Sequence, residues 1–126
     1  MGINDNNVKG YRRELDIQTG IAATEFSCKD VTYKREHFVS NPDQVMVTEL
    51  SASEKGKLDL NVKMELNNSG LEGKTTFDEK NQTCTIEGKV KDNDLKFCTT
   101  MKLVLTGGKL SADERIKSIR FRMQIA

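Results

Sequence analysis

Apolar and polar side chains alternate with a period of two along much of this chain. The alternation is clearest in Lys57–Leu66, where Leu58, Leu60, Val62, Met64 and Leu66 are separated by Asp59, Asn61, Lys63 and Glu65. Five apolar residues at spacing two line one face of a strand, whereas on a helix they would scatter around the whole circumference. Asp94–Thr106 repeats the pattern. Leu95, Phe97, Met101, Leu103 and Leu105 share one parity, with Thr99 as the interruption, and Lys96, Thr100 and Lys102 take the other. Cys98 and Val104 fall on that wetter parity, which predicts partial cover there. Weaker strands are expected over Ile21–Ser27, Val31–Val39, Gln44–Leu50 and Thr83–Val90.

Between these runs lie residues that favour turns. Cys28-Lys29-Asp30 reads as a short hairpin link, and Ser40-Asn41-Pro42-Asp43 as a turn around the chain's one proline. Asp78-Glu79-Lys80-Asn81, Asn67-Asn68-Ser69-Gly70, Lys91-Asp92-Asn93-Asp94 and Gly107-Gly108 complete the punctuation. Short strands at this rhythm predict an all-β fold, an antiparallel β-sandwich. Near the C-terminus, Ser111-Ala112-Asp113-Glu114 fits a helix capping box. Ile119, Phe121, Met123 and Ile125 then alternate with Arg120, Arg122 and Gln124. A turn or short helix followed by a strand is expected there. Residues 1–10 read as a flexible leader and 11–126 as a single β-sandwich domain, with no linker or internal repeat.

Composition narrows the function classes. In 126 residues, 20 basic and 19 acidic side chains leave a net charge of +1. That balance argues against nucleic acid, whose binders carry a basic excess or stripe. Hydrophobic residues make up 36% and charged residues 31% of the chain, so its core is modest. No apolar run is long enough to span a membrane as a helix. Met1–Asn7 has no basic-then-apolar signal segment, and localisation is not indicated. Cys28, Cys84 and Cys98 are odd in number and widely spaced, so free, partly buried thiols are expected.

Candidate chemistry is sparse. His37 is the one histidine, between Glu36 and Phe38, and lacks the second histidine or cysteine pair of a zinc site. It reads as a structural or surface residue. No G-x-S-x-G elbow is present, and Thr106-Gly107-Gly108-Lys109 lacks the spacing of a phosphate loop. Asp16, Glu36, Asp43 and Glu49 are the carboxylates that a glycosidase-like pair would need to bring together, yet nothing in sequence makes them converge. The basic residues Arg115, Lys117, Arg120 and Arg122 read as a solvated strand face, with an anion-binding patch as the alternative. The aromatics are Tyr11, Phe26, Tyr33, Phe38, Phe77, Phe97 and Phe121, with no tryptophan, which weakens the case for a free-standing sugar-binding module. No catalytic residue, cofactor or metal site is assigned.

Two stretches carry a family likeness. Tyr11-Arg12-Arg13-Glu14-Leu15-Asp16 follows the pattern Y-x-R-x-L-D-L. Val31-Thr32-Tyr33-Lys34-Arg35-Glu36-His37-Phe38-Val39-Ser40, continued by Asn41-Pro42-Asp43-Gln44-Val45, follows G-V-x-Y-x-R-E-x-F-x-S-x-P-D-Q-V, with Asp30 in place of the glycine. Together they resemble the N-terminal β-domain of glycoside hydrolase family 95, the α-L-fucosidases. Leu95-Lys96-Phe97 and Gly107-Gly108 are similar to a later family segment, so the resemblance spans about residues 11–110.

The resemblance implies a non-catalytic accessory domain, a slice of an expanded sandwich. Its catalytic acid and base would lie in a helical barrel absent from this chain. The domain would pack on that barrel and shape the rim of its sugar site. The chain alone is expected to be inactive. The alternative is a free-standing carbohydrate-binding or self-associating sandwich. Expected partners are the parent's catalytic barrel and a fucosylated glycan, with neither nucleic acid nor membrane. A second copy could also pair through open sheet edges. Tyr33, Arg35, Glu36, Pro42 and Asp43 form the structural motif. On a regular strand Val31, Tyr33 and Arg35 share a face and Glu36 takes the other. Asp43 or Glu49 is expected to pair with Arg35 and fix a corner of the sandwich.

Overall fold

A computed structural model describes residues 7–66, 68–93, 95–113 and 118–122. Ten strands account for its regular structure: β1 (Val8–Asp16), β2 (Ile21–Cys28), β3 (Val31–Ser40), β4 (Val45–Ala52), β5 (Asp59–Lys63), β6 (Leu71–Asp78), β7 (Thr83–Val90), β8 (Lys96–Lys102), β9 (Lys109–Asp113) and β10 (Ser118–Arg122). All pairings are antiparallel. The all-β expectation holds. The chain forms two compact units, residues 1–58 and 59–126.

The first unit is a meander, β1-β2-β3-β4. Its links are chosen by local chemistry. Lys29 and Asp30, both at positive φ (50° and 64°), make the two-residue turn between β2 and β3. The mirror-image hairpin turn requires left-handed backbone at both central positions. Asp30 thus occupies a site suited to glycine, and the resembling pattern has glycine there. Four-residue turns join β1 to β2 and β3 to β4. In the first, the Asp16 carboxylate accepts from the Gln18 and Thr19 amides, and Gly20 closes the turn at φ 71°. In the second, Ser40 Oγ donates to Asp43, and Gln44 closes at φ 55°. Pro42 therefore sits inside the turn that its fixed φ favours.

The second unit layers two sheets, β5-β10-β9 and β6-β7-β8. Cys84 on β7 is buried at its centre. Leu60, Val62 and Met64 pack on it from β5 and its extension, and Phe77, Met101, Leu103 and Leu105 pack around it. This is the sandwich that the two strong alternations predict. Asp78 and Gln82 (φ 53°) repeat the four-residue turn between β6 and β7, with Asp78 accepting from the Asn81 amide at 3.0 Å.

Several expectations change. β1 takes in residues 8–10, with Gly10 at φ 62° in a register shift between Lys9 and Arg12. β1, β6 and β9 had no counterpart in the sequence pattern. Ser111–Asp113 pair with Ser118–Arg120 in a ladder, so Ser111 is mid-strand rather than a helix cap. Glu114 and the basic Arg115 and Lys117 lie outside the described residues. Cys98 and Val104 are exposed rather than partly covered.

Candidate functional site

Strand parity sorts the side chains of the four-stranded sheet into two unlike faces. The first is charged: Arg12, Glu14, Glu25, Lys34, Glu36 and Glu49 all fall on it by register. Arg12 pairs with Glu14, and Lys34 with Glu36 at 3.0 Å. The Lys34 ammonium is held above its usual range, first by its bond to Glu36 and then by the charges of Glu36, Glu25 and Glu49. Glu36 and Glu49 stand directly opposite one another on this solvated face.

The second face is apolar at one end and open at the other. Its rows follow from the register. Val8, Cys28 and Val31 form one row, and Phe26, Tyr33 and Ala52 the next. Arg13, Thr24, Arg35 and Leu50 follow, then Leu15, Ala22, His37 and Thr48, then Val39 and Met46. Phe26 and Val31 are buried, as is Leu58. Tyr11, Leu15, Val39 and Met46, by contrast, are 60–73% exposed. The open end forms a trough of about 1010 Å³ lined by Tyr11, Arg13, Leu15, Thr24, Arg35 and His37, among others.

Tyr33 and Arg35 meet through Phe26. The Phe26 and Tyr33 rings stack with centroids 5.4 Å apart, and the Arg35 guanidinium lies 6.0 Å from the Phe26 centroid. Such a cation over a ring is worth about 0.5–1 kcal/mol where exposed. The Tyr33 hydroxyl reaches the Lys57 carbonyl at 3.4 Å. Burial, more than the nearby Cys28 and Glu54, pushes its ionisation up. His37 Nδ1 lies 3.0 Å from Thr48 Oγ1 across the β3–β4 ladder.

The other motif residues lie elsewhere. Glu36 is on the charged face, and Pro42 and Asp43 are in the β3–β4 turn. The expected pairing of Arg35 with Asp43 or Glu49 does not form. Register puts Glu49 on the opposite face, and Asp43 is bonded to Ser40. Of Asp16, Glu36, Asp43 and Glu49, register brings together only Glu36 and Glu49, on the solvated face and with Glu36 bonded to Lys34. Asp16 serves its own turn, whose amide bonds from Gln18 and then Thr19 hold its carboxyl below the usual range. Among the described residues no group of three His, Cys, Asp or Glu could hold a metal ion.

Sequence reasoning missed the trough. The signal was present: Arg35 and His37 share the parity of Val31, Tyr33 and Val39. Polar residues on a core parity mark a face that turns from buried to wet. Arg13 was hidden by the irregularity near Gly10, which interrupts simple counting along β1.

Two comparisons place this geometry. Over 52 residues, 41% of the chain, it is 46% identical to alpha-L-fucosidase 2 of Arabidopsis thaliana. That stretch is 6% of the relative's length. A family profile described as glycosyl hydrolase family 65, N-terminal domain, matches residues 2–122. The motifs were read against family 95 and the profile is numbered 65; both are the N-terminal domain of a glycosyl hydrolase. With nearly its whole length matched, the chain belongs to the glycosyl hydrolase family 65 N-terminal domain family.

Proposed function

We propose that the chain is the non-catalytic N-terminal β-domain of an α-L-fucosidase. In the parent it packs on a helical catalytic barrel and shapes the rim of the sugar site. The observation that carries the fucosidase reading is the 46% identity to alpha-L-fucosidase 2. The carboxylates support a non-catalytic role: the facing pair, Glu36 and Glu49, lies on the solvated face away from the trough, with Glu36 bonded to Lys34. Glycoside hydrolysis requires two carboxyl groups flanking one bond. The trough has arginines and a histidine on its face, and Glu14 at its border is paired with Arg12. The test is hydrolysis of 4-nitrophenyl α-L-fucoside by the pure chain. No turnover is expected, and turnover abolished by a carboxylate substitution would overturn the reading.

A second reading, self-association, is favoured by one edge. β4 pairs with β3 alone in the four-stranded sheet. It carries Val45, Met46 and Val47 with a single charge, Glu49, whereas β1 at the other edge has a bulge and five charged residues. Bulges and charges protect an edge from pairing. Sedimentation decides: a monomer at all concentrations removes this reading.

A further inference from the structure

The open half of the trough has a chemistry that a buried core does not need. Arg13, Arg35 and His37 are on it, with Thr24 between the two arginines in register and Thr48 beside His37. By register the carboxylates of β1–β4 take the opposite parity, and the one that still borders the trough, Glu14, is paired with Arg12. Among the described residues no ion pair engages Arg13 or Arg35. Arg35 rests its guanidinium over Phe26. The two arginines lie two strands apart, so their backbones are separated by roughly 10 Å. Each guanidinium offers five N–H donors in a fork that matches a carboxylate. Thr24 between them and Ala22 in the next row are small, which leaves the trough its depth.

We propose that this trough binds a carboxylate-bearing oligosaccharide. Its acidic groups are held by Arg13 and Arg35, and a sugar ring rests on Ala22 and Thr24 beside the exposed Tyr11 and Leu15. A concave site with an apolar floor and a few converging polar groups suits a small ligand. A second copy of this face is disfavoured, because Arg13 and Arg35 of each copy would meet those of the other, and the bordering carboxylate Glu14 is already paired with Arg12. The glycan is favoured over an acidic peptide because the chain is a glycosyl hydrolase domain. The proposal rests on that membership and not on the fucose assignment, so its failure leaves the fucosidase reading untouched.

Calorimetric titration of the 126-residue chain tests it, with trigalacturonate, its methyl ester and hexaglutamate as probes. Trigalacturonate is expected to bind, and the uncharged ester about tenfold more weakly, the loss of about 1.4 kcal/mol of charge recognition. Arg13→Gln and Arg35→Gln should each weaken binding, and raising salt from about 0.05 to 0.5 M should do so too. Lys34→Gln, on the other face and clear of the trough, should leave it unchanged. Arg13 makes no described contact, so that variant decides the matter even where Arg35→Gln perturbs folding. Equal binding of acid and ester, no binding of trigalacturonate, tighter binding of hexaglutamate, or a Lys34→Gln effect as large as that of Arg13→Gln would each overturn the proposal.

Discussion

Gly88 and Gly73 face each other across the β6–β7 ladder, and their hydrogens fill the space that side chains would need. A Cβ on Gly88 would lie 2.4 Å from the Glu72 carbonyl oxygen and 2.7 Å from Phe97 Cζ. The ring can rotate away, but the carbonyl belongs to the neighbouring strand and cannot move without shifting the β6–β7 pairing. Forcing a methyl group into a filled site costs about 1–3 kcal/mol. Alanine recovers part of that, about 0.5–1 kcal/mol, because glycine loses more backbone entropy on folding. The rigid contact places Gly88→Ala at a net loss of about 1–2 kcal/mol. For a chain of this size that is a fall in melting temperature of roughly 4–8 °C. Urea unfolding should show a lower midpoint with an unchanged slope. Adding Phe97→Leu separates the two contacts: it relieves the ring and leaves the carbonyl, so the double variant should regain none of the stability lost to the carbonyl. A Gly88→Ala midpoint equal to the parent's would refute the close approach of β6 and β7 and the register drawn from it.

Other substitutions probe separate features. Asp30→Gly should stabilise the β2–β3 hairpin by about 0.5–1 kcal/mol, since a φ of 64° costs a residue with a Cβ more than it costs glycine; thermal unfolding measures the gain. Thiol labelling under native conditions should modify exposed Cys98 first and half-buried Cys28 more slowly. Cys84, buried and with its thiol pushed up by desolvation, should react only on unfolding. Asp16 and Asp78 accept turn amides that hold their carboxyls below 3.8, the ordinary value. Their stabilisation is therefore present above that value and lost as pH falls through the lower folded one. Asp16→Asn with Asp78→Asn should flatten the acid limb of a stability–pH profile, and an unchanged limb would show that these turns contribute nothing.

The strands legible in sequence were those whose two faces differ. β7 and the cores of β5 and β8 alternate because one side faces the cluster around Cys84 and the other is wetter, whereas β3 keeps an apolar parity only at its start, at Val31 and Tyr33. β5 is shorter than its alternation, since its ladder partner β10 pairs only through Asp59–Lys63. Met64 carries the alternation onward and packs on Cys84 without a strand around it. β1 was illegible because charges occupy both its faces and Gly10 shifts its register. β6 was hidden by Gly73, which reads as a turn residue until its partner Gly88 explains it. Ser111 and Asp113 carry capping chemistry, but pairing with β10 overrides that local preference.

Phe26 connects the closed and open halves of the first sheet. One side of its environment is the stack with Tyr33, beside buried Val31; toward the other end of the sheet stands the Arg35 guanidinium. Removing the ring would therefore act twice. Phe26→Ala would lose a buried aromatic, a cost of about 3–5 kcal/mol. It would also free Arg35, whose described partner is that ring. Phe26→Leu keeps most of the apolar volume and removes the quadrupole that attracts the cation. The two variants separate packing from placement: alanine must change both stability and the behaviour of Arg35, whereas leucine must change Arg35 with much less effect on stability. The fixed position of Arg35 is thus a consequence of core packing, although the residue itself stands on the open face. Tyr33 and Arg35 share a motif because one ring holds both, and Glu36, although adjacent in sequence, belongs to a different surface.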